Sequence, residues 1–178
     1  MENIYKYFKE INKLNEIVRT GWIRRNIPIE RRESVGEHIF TMALMSLAVI
    51  DKYSLNLDVE KVLKMILIHE LGEIDVGDIA LPTEDQLKEK YDGELKCVNR
   101  ICSVLEETWM LDLWKEFEGK KTEEASFVYK MDKLQAVMQA KYYSEIINNE
   151  NLFLEFYENA LPKCGIFLEI AKNGHQKE

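Results

Sequence analysis

The chain has 178 residues, of which 46% are hydrophobic, and a formal net charge of -8. That length and apolar content suit one compact domain with a real core, and the acidic balance argues against polymeric nucleic acid or an anionic membrane as a partner, since both call for a basic face. Cys97, Cys102 and Cys164 are an odd number without CxxC spacing, so reduced thiols in a cytoplasmic protein are expected rather than a disulfide framework.

The N-terminal stretch from Met1 to Thr20 is charged and amphipathic with no uninterrupted apolar run, which fits neither a signal peptide nor a membrane span. Ile4, Tyr7, Phe8, Ile11, Leu14 and Val18 recur at helical spacing and predict a first helix ending before Gly21. A polar loop, Arg24 to Arg32 with Pro28 inside, leads to Ser34 and Glu37, a capping-box pattern that puts His38 in the first turn of an apolar helix reaching about Tyr53. Asp58 is a plausible N-cap for the next helix, Val59 to about Val76, with Val62, Leu63, Ile66 and Leu67 inward and His69, Glu70 and Glu73 near its end. Gly77 can supply the left-handed residue that stops it, and Asp78 follows.

Thr83 with Gln86 suggests a second capping box before a long polar helix to about Glu107, and a short aromatic segment, Trp109 to Phe117, comes next. Thr122 opens a helix striped by Phe127, Met131, Leu134 and Met138, with Asp132 beside Val128 on the margin of that stripe. The last helix runs from about Glu150 to Leu161 and continues past Pro162 and Gly165. Residues 1–172 are read as a single domain and 173–178 as a frayed tail. With no strand-like alternation long enough for a sheet, the expected class is all-α, a bundle of about six to seven helices.

His38, His69, Glu70 and Asp132 stand out because imidazole nitrogens and carboxylate oxygens are ligands for a borderline divalent metal, and such a set leaves positions open for water and substrate. Each has an ordinary alternative. A histidine in an apolar helix is commonly a hydrogen-bonded core residue, and Asp132 beside Lys133 could be a solvated acid. Acids placed directly after the buried run Ile66 to Ile68 would be costly to desolvate unpaired, however, and a cation relieves that cost. The zinc-protease pattern HExxH is not met, because position 73 is Glu.

Arg19-Thr20-Gly21-Trp22, Glu33-Ser34-Val35-Gly36-Glu37-His38, His69-Glu70-Leu71-Gly72-Glu73 through Gly77-Asp78, and Met131-Asp132-Lys133-Leu134-Gln135-Ala136 occur in one order over residues 5 to 160. In this order the chain resembles HD-domain phosphohydrolases, in particular 5'-deoxynucleotidases of the YfbR and HD-domain-containing-protein-2 types. The resemblance implies a helical HD fold with His38, His69, Glu70 and Asp132 around one divalent metal of Mn, Co or Zn type. It also implies hydrolysis of nucleoside 5'-monophosphates, Arg19 on the phosphate, Trp22 against the nucleoside, and Glu73 and Asp78 beside the reacting water and leaving oxygen. A homodimer is implied as well. Where the family has a His-Asp pair this chain has His69-Glu70, one methylene longer, and Thr20-Gly21 separates Arg19 from Trp22, which some relatives place side by side.

The implied chemistry is physically coherent: a metal activates water and neutralises charge on the phosphoryl oxygens, while a nearby carboxylate can relay a proton to the leaving oxygen. Other HD hydrolases acting on cyclic or polyphosphorylated nucleotides need the same ligands, and a non-catalytic nucleotide-binding module would keep the pocket alone. A di-iron oxygenase calls for more histidines than the three present.

Overall fold

A computed structural model describes residues 1–80 and 83–164. Nine α-helices lie among them: α1 (Glu2–Asn12), α2 (Thr20–Arg24), α3 (Val35–Tyr53), α4 (Val59–Ile68), α5 (Glu73–Val76), α6 (Glu84–Leu105), α7 (Trp109–Gly119), α8 (Glu123–Ile146) and α9 (Glu150–Cys164). The only strand-like pairing among the described residues is an isolated antiparallel bridge between Val18 and Ser34. The all-α expectation therefore holds, with more and shorter helices than six or seven.

Side-chain caps fix most of the expected starts. Ser34 and Glu37 form a reciprocal capping box at α3, as do Thr83 and Gln86 at α6, while Asp58 and Thr122 accept the backbone N–H of Lys61 and Ala125 at α4 and α8. Each cap satisfies a backbone donor that the first helical turn leaves unpaired.

The additional helices come from two breaks. Val18, at helical spacing in the sequence, leaves the helix to pair with Ser34, so α1 gives way to a 3-10 turn at Lys13–Asn15 and the chain restarts as α2. Residues 69–72 are turns, and the predicted helix to Val76 divides into α4 and α5. Gly77, at φ 75°, ends α5 as expected. The aromatic segment is a full helix, α7. Continuation of the last helix past Gly165 and fraying from Asn173 lie outside the described residues.

α8 is the central element, buried on several faces by residues such as Val128, Met131, Leu134 and Val137, and it packs against α3, α4, α7 and α9. A main core of Met42, Val62, Met65, Ile66, Ile101 and Trp114 surrounds it. A smaller cluster, Trp22, Ile27, Ala140, Tyr143 and Leu152, joins α2 to α8 and α9. Because α3 and α4 both lie on α8, the residues at 38, 69 and 132 meet in one place. No described helix is long and apolar enough to cross a membrane.

Candidate metal centre

His38 enters from the first turn of α3, His69 from the C-cap of α4, Glu70 from the turn after it, and Asp132 from the middle of α8. One ligand atom from each lies within 4.8 Å of the others. His38 Nε2 is 3.3 Å from Asp132 Oδ1, and His69 Nε2 is 3.5 Å from Glu70 Oε1. Both imidazoles are buried, and neither Nε2 has hydrogen-bond geometry to any partner. Two buried, unpartnered ring nitrogens facing two carboxylates are a costly arrangement without a cation and a suitable one with it.

The far side of each ring explains its orientation. His69 Nδ1 lies 2.7 Å from the Ile66 carbonyl oxygen, which can only accept, so the ring proton sits on Nδ1 and Nε2 keeps its lone pair. His38 Nδ1 lies 2.7 Å from Gln135 Oε1. Gln135 Nε2 donates to Glu33 Oε1 at 2.5 Å, and Glu33 Oε2 accepts from the Trp22 indole N–H at 3.1 Å. Glu70, one methylene longer than aspartate, places a carboxylate oxygen in the cluster.

A cavity of about 390 Å³ opens onto this cluster, and Arg19, Trp22, Glu70, Glu73, Asp78 and Asp132 all contribute to its wall. The structure thus brings every residue singled out in the sequence to one site, His38 and His69 lying just behind the wall. Arg19 is 3.7 Å from Glu70. Asp78 Oδ2 accepts both the backbone N–H and the hydroxyl of Thr20, the latter at 2.8 Å. Trp22 is almost wholly buried, edge-on to Tyr143 at 5.0 Å and stacked on Phe156 at 4.9 Å, so most of its ring belongs to the core.

Charge in the cavity is unevenly shared. Burial would raise the Asp132 carboxyl, but Lys133, at 2.7 Å, and then His38 and Arg19 hold it well below its usual range. Glu70 is also lowered: burial and Asp132 push it up, and His69, Arg19 and His38 outweigh them. Burial lowers His69 despite Glu70 and Asp132. Glu73 goes the other way, raised to about 10 by burial and then by Glu70 and Asp78.

The sequence reading missed four contributors. Lys90, in the long polar helix, turns inward from α6, 3.6 Å from Glu73 and 3.1 Å from Glu94. Lys133 lines the cavity beside Asp132. Gln135 and Glu33 are buried behind His38. Gln135 was detectable in principle, since it follows Asp132 by three residues and so shares its helix face. Lys90 carried no such signal.

The sequence profile of the HD domain matches residues 11–161. The chain belongs to the HD-domain family of metal-dependent phosphohydrolases. Among proteins similar to this HD-domain chain, the 5'-deoxynucleotidase HDDC2 of Dictyostelium discoideum is 36% identical over 154 residues, 82% of this chain and 80% of its own. The 5'-deoxynucleotidase HDDC2 of Danio rerio is 31% identical over 160 residues, 88% of this chain and 78% of its own. A solved structure of a conserved hypothetical protein from Pyrococcus furiosus superposes with a TM-score of 0.75 at 31% identity, covering 95% of this HD-domain chain and 97% of that one.

Proposed function

We propose that this protein is a metal-dependent 5'-nucleotidase that releases phosphate from (deoxy)nucleoside 5'-monophosphates. The observation that carries the reading is the pair of unpartnered imidazole nitrogens meeting Glu70 and Asp132 at the wall of a cavity that also holds Arg19 and Glu73. The cavity volume of about 390 Å³ is of the size that takes a small ligand. The relatives' name, 5'-deoxynucleotidase, supports the substrate class.

A divalent cation of Mn, Co or Zn type held by His38, His69, Glu70 and Asp132 supplies Lewis acidity toward water and the phosphoryl oxygens. The other roles belong to the chain. Arg19 presents a planar guanidinium suited to two phosphate oxygens, which a lysine would not match. Glu73, beside Glu70 at the cavity wall, orients the attacking water. Asp78, anchored through Oδ2 by Thr20, offers its second oxygen to the sugar or the leaving group. Phe156, with Trp22 stacked against it, gives the nucleoside an apolar wall.

The test is phosphate release from a panel of monophosphates, cyclic nucleotides and polyphosphates with added Mn2+ or Co2+, then with EDTA. Monophosphates are expected to turn over and EDTA to stop it. Preferential cleavage of a cyclic or polyphosphorylated nucleotide points to another HD activity, and nucleotide binding without phosphate release to a sensor.

The reading extends to the whole protein as one domain over residues 1–172, cytoplasmic, with no polymeric nucleic acid as partner. The free cysteines and the net charge of -8 support this. It includes a homodimer, supported by Phe40, Leu44 and Leu47, which form an exposed apolar stripe on α3 at helical spacing. Sedimentation at micromolar concentration measures that state.

A further inference from the structure

The two ring protons at the metal centre are secured in different ways. Behind His69 stands a backbone carbonyl, which has only one role. Behind His38 stands the side-chain amide of Gln135, which can turn either its oxygen or its nitrogen toward the ring. What decides between them is the next residue along. Glu33, as a carboxylate, only accepts, so the amide nitrogen of Gln135 must face it and the amide oxygen must face His38. The second Glu33 oxygen is occupied by the Trp22 indole, which only donates. The backbone N–H of Glu33 is held by the Tyr143 hydroxyl at 2.8 Å, which fixes the acid in place.

We propose that Glu33 is a positioning residue that selects, through Gln135, the His38 tautomer able to bind the metal. The sequence of donors is Trp22 to Glu33, Gln135 to Glu33, and His38 Nδ1 to Gln135, which leaves the His38 Nε2 lone pair aimed at the centre. Every member of this chain is at most 5% exposed, so water is not at hand to substitute for a missing partner. The control therefore acts from outside the ligand set, with Gln135 standing between Glu33 and the ring. The inference rests on His38 being a ligand, but its first readout is taken on metal-free protein and is independent of any phosphatase activity.

The isosteric substitution Glu33→Gln gives a sharp consequence. The new amide must still accept from Trp22, so its nitrogen turns toward Gln135. Gln135 then flips to present its oxygen to that nitrogen, and its own NH2 faces His38. A ring nitrogen facing a donor must accept, so the proton moves to Nε2, the atom the metal needs. Exchanging the two residues, Glu33→Gln with Gln135→Glu, reverses the bond between positions 33 and 135 but restores the Trp22 and His38 bonds in their original direction at unchanged side-chain length, with a carboxylate again accepting from His38 Nδ1.

The experiment records histidine ring 15N signals of the metal-free protein at pH 8.5 and, separately, Co2+ affinity by optical titration. The wild type is expected to carry the His38 proton on Nδ1. Glu33→Gln is expected to move it to Nε2 and weaken Co2+ binding about ten- to a hundredfold, the range found when groups behind metal ligands are altered. The exchanged pair is expected to recover the Nδ1 proton and bind Co2+ at least as tightly as wild type. A folded Glu33→Gln variant with wild-type tautomer and affinity overturns the proposal. So does a folded exchanged pair no better than the single variant, which also decides the matter if Glu33→Gln alone fails to fold. A role limited to packing would move neither the tautomer nor its recovery. Failure of phosphate release with the tautomer behaviour intact would sink the nucleotidase reading and leave this one standing.

Discussion

Glu73 is 2% exposed, lies near Glu70 and Asp78, and has Lys90 at 3.6 Å as its closest cation. One of its oxygens is buried without a partner. Its carboxyl ordinarily titrates near 4.5 and is raised to about 10 here, so between those values the folded, metal-free protein holds a proton that the unfolded chain has released. Metal-free stability therefore falls as pH rises through that window. Glu73→Gln is expected to flatten this fall, to keep the bound metal, and to lose turnover by about two orders of magnitude or more, the scale of a general acid-base group. Asp132→Ala is expected to lose the metal itself. Denaturant unfolding across pH, with elemental analysis of both variants, separates the two roles, and unchanged metal content in Asp132→Ala would remove that residue from the site. All eight residues named from the sequence gather at the cavity or just behind its wall: His38, His69, Glu70 and Asp132 stood out by residue type, and Arg19, Trp22, Glu73 and Asp78 through the ordered motifs that carry the family resemblance. Lys90 was not readable in this way, since a lysine amid charged neighbours looks the same whether it faces water or turns inward.

At the scale of helices, the starts were legible and the breaks were not. Ser34, Asp58, Thr83 and Thr122 act as caps because a short polar side chain at a helix start finds a local partner in the backbone N–H three residues on. The division of α4 from α5 goes with a local contact and a distant one. The His69 ring turns back on the Ile66 carbonyl three residues earlier, and Gly72 meets α6 so closely that a Cβ there would overlap the Glu94 side chain and come within 2.8 Å of the Glu94 Cα. The second contact has no signature in a single stretch of sequence. Gly72→Ala is expected to push α6 outward and destabilise the fold by about 1–3 kcal/mol, the usual cost of overpacking. Urea unfolding measures it, and an unchanged midpoint would mean that α6 yields freely. Because Lys90 and Glu94 share that helix, the same variant should also loosen the ion pair that reaches Glu73.

For the molecule as a whole, the apolar stripe of Phe40, Leu44 and Leu47 lies on α3, the helix that begins with His38. His38 faces inward and the stripe outward, so an interface there would leave the metal centre intact. Leu44→Asp is expected to yield a monomer with full metal content; sedimentation of wild type as a monomer would remove the dimer. The sequence carried the all-α class and the order of the site motifs over most of the chain, because helical periodicity and capping are local properties. Which helix is central was not legible: α8 is buried on several sides, and its stripe alone could not show how many neighbours cover it.

The Val18–Ser34 bridge ties these scales together. It is braced on both sides, by the Arg19 N–H to the Glu33 carbonyl at 3.1 Å and the Val35 N–H to the Ile17 carbonyl at 2.8 Å. Arg19 and the helix that carries His38 are thus held in one register across a gap of fifteen positions. Insertions and deletions should consequently be distributed very unevenly along this part of the chain. The exposed 3-10 turn at Ile29–Arg31 can change length while the register holds. A single residue gained or lost between Ile17 and Trp22, or between Glu33 and His38, would slide Arg19 and His38 past one another.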